Sequence, residues 1–132
     1  FLIGAGALGS ALLGYRGFQE YGLDIVAAFD NDPGKHGTRI HGKTVFPVER
    51  VAELAKRMGI LIGVLTVPEA SAQSCAERLI EAGIRGIWNF SPIKIQVPDN
   101  IVVQREELSS GLAVLSVRLS EMLKYEPPKP PE

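Results

Sequence analysis

Apolar runs alternate with helical stripes along this chain. Phe1-Leu2-Ile3 reads as a strand that stops at a glycine-rich turn. Residues 7–21 carry Leu8, Leu12 and Leu13 on one face, which predicts a first helix, weakened by Gly14 and Gly17 and capped by Gly22. The apolar stretch 23–29 predicts a second strand, and Asp30 ends it. A polar loop over 31–43 leads to a short strand at 44–46. Pro47 then suits the first turn of a helix reaching Met58, with Val51, Leu54, Ala55 and Met58 on one face. Residues 60–66 are almost continuously apolar, as in a strand buried on both faces of a parallel sheet. Pro68 opens a helix to about residue 82, with Ala72, Cys75, Ala76, Leu79 and Ile80 facing inward and Gly83 as its stop. Strands at 85–90 and 101–104 complete the series. Strand then helix, joined by short loops, specifies an α/β domain with a doubly wound, mainly parallel sheet and right-handed crossovers.

The last helix departs from this pattern. Over 106–124, Leu108, Leu112, Leu115, Leu119 and Met122 recur at spacings of four, three, four and three. The stripe spans little more than two heptads, too short to specify a coiled coil, and packing on its own sheet is the simple expectation. Ala113, Val114 and Val117 add apolar surface beside it. A helix apolar over that much of its girth wants a second partner surface, so a homodimer contact, by exchange of this helix, is expected. Three regions follow: a sheet domain over 1–105, a dimerisation helix over 106–124, and a proline-rich tail over 125–132, expected to be extended or disordered.

Composition narrows the classes. A chain of 132 residues is one domain, and 45% hydrophobic with 22% charged residues fits a soluble globular fold. No apolar run nears the roughly 20 residues of a membrane helix. Net charge is −1, without the basic excess of a nucleic-acid module. The single Cys75 cannot close an intramolecular disulfide and reads as a small packed thiol. A cytoplasmic location fits these features. His36 and His41 lie in the 31–43 loop without a ligand-spaced Cys, His or carboxylate set, so they read as solvated and no metal site is expected. Three residues of first strand and no initiator Met point to a segment missing upstream.

The chemistry centres on Gly4-Ala5-Gly6-Ala7-Leu8-Gly9. It follows a strand and opens a helix, the order of a Rossmann dinucleotide fingerprint. Gly4 allows the tight turn, Gly6 lets a pyrophosphate approach the backbone, and Gly9 lets the helix pack on the sheet. Asp30 lies 21 positions after Gly9, where a carboxylate accepts from ribose hydroxyls and repels a 2′-phosphate, so NADH/NAD+ is expected over the phosphorylated form. Asp30-Asn31-Asp32-Pro33-Gly34 is also good turn chemistry. Ligands bind outside the carboxyl ends of such strands. Thr66-Val67-Pro68 and Asn89-Phe90-Ser91-Pro92 belong to that edge and join the candidate set as ligand contacts or ordinary loops. Tyr15 reads as a half-buried aromatic with a wet hydroxyl. No Ser-His-Asp order, metal set or carboxylate pair stands out, so no residue is assigned as catalytic. A binding module is favoured over the cofactor half of an oxidoreductase. A CoA-binding relative of the same sheet is the third class, and Asp30 opposes its 3′-phosphate.

In this order the motifs resemble the nucleotide-binding domain of the Rex redox-sensing transcriptional repressors, up to about Lys124. The resemblance rests on the glycine motif with Ser10-Ala11-Leu12 and Tyr15. It also rests on 25–30 with Asp32-Pro33, Leu65-Thr66-Val67-Pro68 with Ala72-Gln73, Ala82-Gly83-Ile84 and Gly86-Ile87-Trp88-Asn89-Phe90-Ser91-Pro92, and Val97-Pro98. It implies a homodimer with a swapped last helix and an NADH/NAD+ site. It further implies operator DNA held by a winged-helix domain outside this chain and released when NADH binds. The family's sensing tyrosine falls on Tyr15. Its switch acid falls on Glu107, where the family usually has Asp, and Gly111 stands for a usual Glu.

Overall fold

A computed structural model describes residues 1–106 and 108–124, with side chains at all of these except 108–114. Seven strands form one sheet, in the order β3-β4-β2-β1-β5-β6-β7. They are β1 (Leu2–Ile3), β2 (Ala28–Asp30), β3 (Arg39–Ile40), β4 (Lys43–Pro47), β5 (Ile62–Leu65), β6 (Gly86–Asn89) and β7 (Val102–Arg105). Every pairing is parallel except the β3–β4 hairpin. Setting that hairpin strand aside, the order is that of the six-stranded dinucleotide-binding sheet. The mainly parallel, doubly wound expectation therefore holds.

Alternation along the strands sorts the core into two layers. Ile3, Phe29, Leu65 and Ile87 face one layer, under the helices α2 (Val51–Met58) and α3 (Glu69–Glu81). Leu2, Ala28, Val45, Val64 and Trp88 face the other, under α1 (Ala7–Leu13). In α2, Val51, Leu54 and Ala55 are buried as expected, but Met58, the last residue of the helix, is 48% exposed. Ala72, Ala76 and Leu79 of α3 are buried, with Cys75 and Ile80 partly so.

Several boundaries differ from the sequence expectation. The first helix stops at Leu13 rather than running to residue 21. Tyr15 is extended (φ −79°, ψ 112°), and Arg16–Tyr21 forms a separate 3₁₀ segment. Glycine lowers helix stability by about 1 kcal/mol, and here both glycines are also needed small. A Cβ on Gly14 would lie 2.7 Å from His41 Nε2, and one on Gly17 would lie 2.5 Å from the Tyr15 ring. The second strand spans only Ala28–Asp30, because β1 and β4 supply partners only from Ala28 onward. The first residue of β5, Ile62, is 47% exposed, so burial on both faces applies only to 63–65. The 31–43 loop contains a 3₁₀ turn (Pro33–Lys35) and β3.

The last helix, α4 (Leu108–Lys124), forms where the apolar stripe predicts it. From 115 to 124 all its residues are exposed, including Leu115, Leu119 and Met122, so packing on its own sheet is not what this stretch does. Glu107, the tail 125–132 and the side chains of Leu108 and Leu112 lie outside the described set. Among the described residues, no helix is long and apolar enough to cross a membrane.

Candidate functional site

The chain runs outward from β1 through β2 to β4 and returns to β5, so strand order reverses between β1 and β5. A cleft of about 740 Å³ opens there, at the carboxyl edge. That volume lies within the range of small-molecule sites. Gly4, Gly6, Asp30, Asn31, Thr66, Val67 and Pro68 line it, as the sequence predicts.

The glycine turn is fixed by contacts that leave no room for side chains. Gly4 has φ +104°, and a Cβ there would lie 2.4 Å from Thr66 O. A Cβ on Gly9 would lie 1.9 Å from Gly4 O. The Thr66 hydroxyl is within 2.6 Å of Gly4 O and 3.0 Å of Ile3 O, tying β5 to the turn. Gly6 is the opposite case: nothing lies within 4 Å of its missing Cβ, so its open side borders the cleft. Gly6 is the N-cap of α1 and, as a glycine, brings no side-chain acceptor to the first helical amides.

Asp30 has a structural task first. Its Oδ2 accepts from the Ala5 amide at 2.8 Å, and its Oδ1 accepts from the Asp32 amide at 2.9 Å. Lys35 Nζ lies 3.8 Å from Oδ2 and donates to Ala5 O at 3.0 Å. His36 Nε2 lies 2.7 Å from Asp30 O, so His36 pins this loop and is not the solvated residue expected. Each carboxylate oxygen keeps a second lone pair for a ligand hydroxyl. Asp30, Ala5 and Lys35 thus form one unit at the edge of the cleft.

Other expected residues lie elsewhere. Ala5 and Gly9 are buried under the turn, and Ala7 and Leu8 begin α1 outside the cleft lining. Asn89 and Ser91 are buried and spent on each other: Asn89 Oδ1 accepts from the Ser91 amide at 3.0 Å and from its hydroxyl, and Asn89 Nδ2 donates to Ile93 O at 2.8 Å. They shape the turn after β6. Phe90 packs on Trp88 in the α1 layer. Tyr15, 56% exposed, lines a second cleft of about 610 Å³ with Arg16, Phe18, His41 and Lys43.

The cleft also has residues that the sequence reading missed. Lys35, Val48 and Glu49 line it, as do Ser71, Ser74, Cys75 and Arg78 of α3. The last four are spaced as i, i+3, i+4 and i+7, a polar stripe beside the buried stripe of α3. Burial pushes the Cys75 thiol above its usual range; Arg78 opposes this and Asp30 adds to it. Among the described residues, no group of three His, Cys, Asp or Glu could hold a metal.

A family model described as "CoA binding domain" matches residues 1–93. The redox-sensing transcriptional repressor Rex of Treponema denticola is 51% identical over 120 residues, which is 91% of this chain and 57% of the relative. The chain therefore spans little more than half the length of that relative. RSP, a Rex-family repressor, was solved with β-NADH and with β-NAD+ and operator DNA. Both structures match at TM-score 0.84 and 40% identity, covering 94% of this chain and 60% and 57% of theirs. With its glycine turn, switch-point cleft and strand order, the chain belongs to the CoA binding domain family, and over 91% of its length it is similar to a Rex repressor.

Proposed function

We propose that the cleft binds NADH and NAD+ and that the chain is the sensing module of a redox-responsive repressor. The carrying observation is the switch-point cleft, bounded by the open side of Gly6 and by Asp30. Gly6 and the first amides of α1 would hold the pyrophosphate, Asp30 and Asn31 the adenosine ribose, and Thr66-Val67-Pro68 the span between. The dinucleotide would supply its redox state. The protein's own groups hold the turn and order the loop. Lys35 and Thr66 are spent on that holding, which suits binding rather than turnover.

The similar RSP structures, with NADH in one and NAD+ and operator DNA in another, support this reading. Operator DNA would be held by a winged-helix domain outside the described chain, in the cytoplasm, and NADH would release it. The unit is a homodimer joined through α4, whose exposed Leu115, Leu119 and Met122 need a cover. The Tyr15 and Glu107 switch belongs to the same reading, Tyr15 through its ring against Phe18 near the end of α1.

The family model's name keeps CoA as the competing ligand. Calorimetric titration with NADH, NAD+, NADPH and CoA, with a hydride-transfer screen on the same sample, separates the two. Tight NADH, weaker NAD+ and no turnover are expected. Tightest binding of CoA, or turnover, would overturn the proposal.

A further inference from the structure

From 115 to 124 the residues of α4 are exposed, and the described chain before this helix ends at Glu106, where it leaves the sheet. Glu106 is held twice at that point. Its amide donates to Asn89 O at 2.9 Å, extending the β6–β7 pairing. Its Oε1 accepts from the Trp88 indole Nε1 at 3.3 Å. Trp88 is the sole tryptophan and sits in an aromatic stack. Its ring centroid is 4.8 Å from Phe90 and 5.4 Å from Phe18, and Phe18 meets Tyr15 edge-on at 4.7 Å.

Trp88 is also connected to the glycine turn. In the sheet it pairs with Val64, two residues before Thr66, whose hydroxyl holds Gly4 O. From the other side, Tyr15 follows α1, the helix that the turn opens.

We propose that Trp88 is a positioning residue: its indole N–H latches Glu106 and so aims α4, and the nucleotide site acts on α4 through this latch. The coupling half rests on the reading of the cleft as a dinucleotide site; the latch half stands without it. A separation of 3.3 Å lies just beyond the usual range for an N–H···O bond, so a small rotation of the indole releases it.

The sole tryptophan gives one indole resonance in a ¹H–¹⁵N spectrum, and it reads the latch directly. In the ligand-free chain, Glu106→Ala moves this resonance to the position of a solvated indole. Glu106→Gln, which keeps a carbonyl acceptor, restores it. Backbone hydrogen exchange in the first half of α4 quickens about fivefold in Glu106→Ala and in Trp88→Phe, the scale of one lost hydrogen bond, and returns to within about twofold in Glu106→Gln. NADH moves the wild-type indole resonance and changes exchange in α4. In Glu106→Ala it leaves α4 exchange unchanged.

An indole resonance and α4 exchange that ignore Glu106→Ala would remove the latch. NADH that binds by calorimetry yet moves neither signal would remove the coupling. Absence of NADH binding would overturn the reading of the cleft instead, and the ligand-free spectra would still decide the latch.

Discussion

The Ala5 amide donates to Asp30 Oδ2 at 2.8 Å, joining two positions 25 residues apart. The acid after β2 is thus an anchor of the glycine turn as well as a border of the cleft. Asp30→Ala takes the acceptor from a buried amide and from the Asp32 amide together. The expected loss is about 1–3 kcal/mol of folding stability in urea denaturation, the cost of stranding the buried Ala5 donor. NADH affinity falls at least about tenfold by calorimetry, on the scale of one to two lost hydrogen bonds. Asp30→Asn keeps one acceptor oxygen and falls between. Wild-type stability in Asp30→Ala would show that the Ala5 contact holds nothing in place.

Two glycines of the turn are expected to fail in different ways. Gly9→Ala places a Cβ 1.9 Å from Gly4 O, backbone that cannot yield, so the variant loses the packed turn and melts well below wild type. Gly6→Ala meets nothing within 4 Å and has φ −77°, so its stability stays within about 1 kcal/mol of wild type. Its new methyl group stands on the cleft side, where it lowers nucleotide affinity. Thermal melts and NADH titrations of the pair read these out. A Gly6→Ala chain that binds NADH like wild type would move the ligand elsewhere.

These two glycines also show what the sequence made legible. The spacing of the motif identifies the turn, and strand alternation identifies the core layers, because both are local patterns. Gly9 and Gly4 behave as the motif predicts. The end of the first helix at Leu13 was only partly legible: Gly14 weakens the helix in the sequence, but the His41 ring that leaves no room for a side chain there comes from the β3–β4 hairpin. Lys35 escaped for the same reason: its contact with Ala5 O crosses 30 positions. Asn89 and Ser91 carry the residue types of a ligand loop, but burial directs their polar atoms to each other. The α3 stripe Ser71, Ser74, Cys75, Arg78 was readable from helical spacing, yet only the position of α3 over the cleft gives it meaning.

Cys75 provides a pH test of the cleft. Burial is the largest cause of its raised pKa, above the ordinary 9.0, with Asp30 adding to it and Arg78 opposing. The folded state therefore holds the thiol proton more tightly than the unfolded chain does. The stability this contributes is complete below the ordinary thiol pKa and is lost as pH rises through the raised one. Urea denaturation from neutral pH upward should show that decline, and Cys75→Ser should remove it from the profile. The low thiolate fraction also makes Cys75 slower than a free thiol toward iodoacetamide at pH 8. Bound NADH slows it further, because Cys75 lines the cleft. Alkylation followed by mass spectrometry checks both, and a rate equal to that of free cysteine would contradict the burial.

The exposed side of α4 sets the last prediction. Leu115 is 62% exposed, Leu119 51% and Met122 57%, and all three belong to the stripe with a spacing of three and four. A surface of that kind is costly in water unless a partner covers it. Leu115→Glu with Leu119→Glu changes no packing within the chain, so the melting of the sheet stays close to wild type, as for surface substitutions generally. Self-association is what should change. Sedimentation equilibrium is expected to give a wild-type dimer and a monomeric double variant. Because the stripe runs along one helix, either single substitution should weaken the dimer and the pair should abolish it. A wild-type chain that sediments as a monomer at high concentration would refute the homodimer and leave α4 without its partner. A double variant that stays dimeric would place the interface on another surface, and the exposed leucines would then need a different explanation.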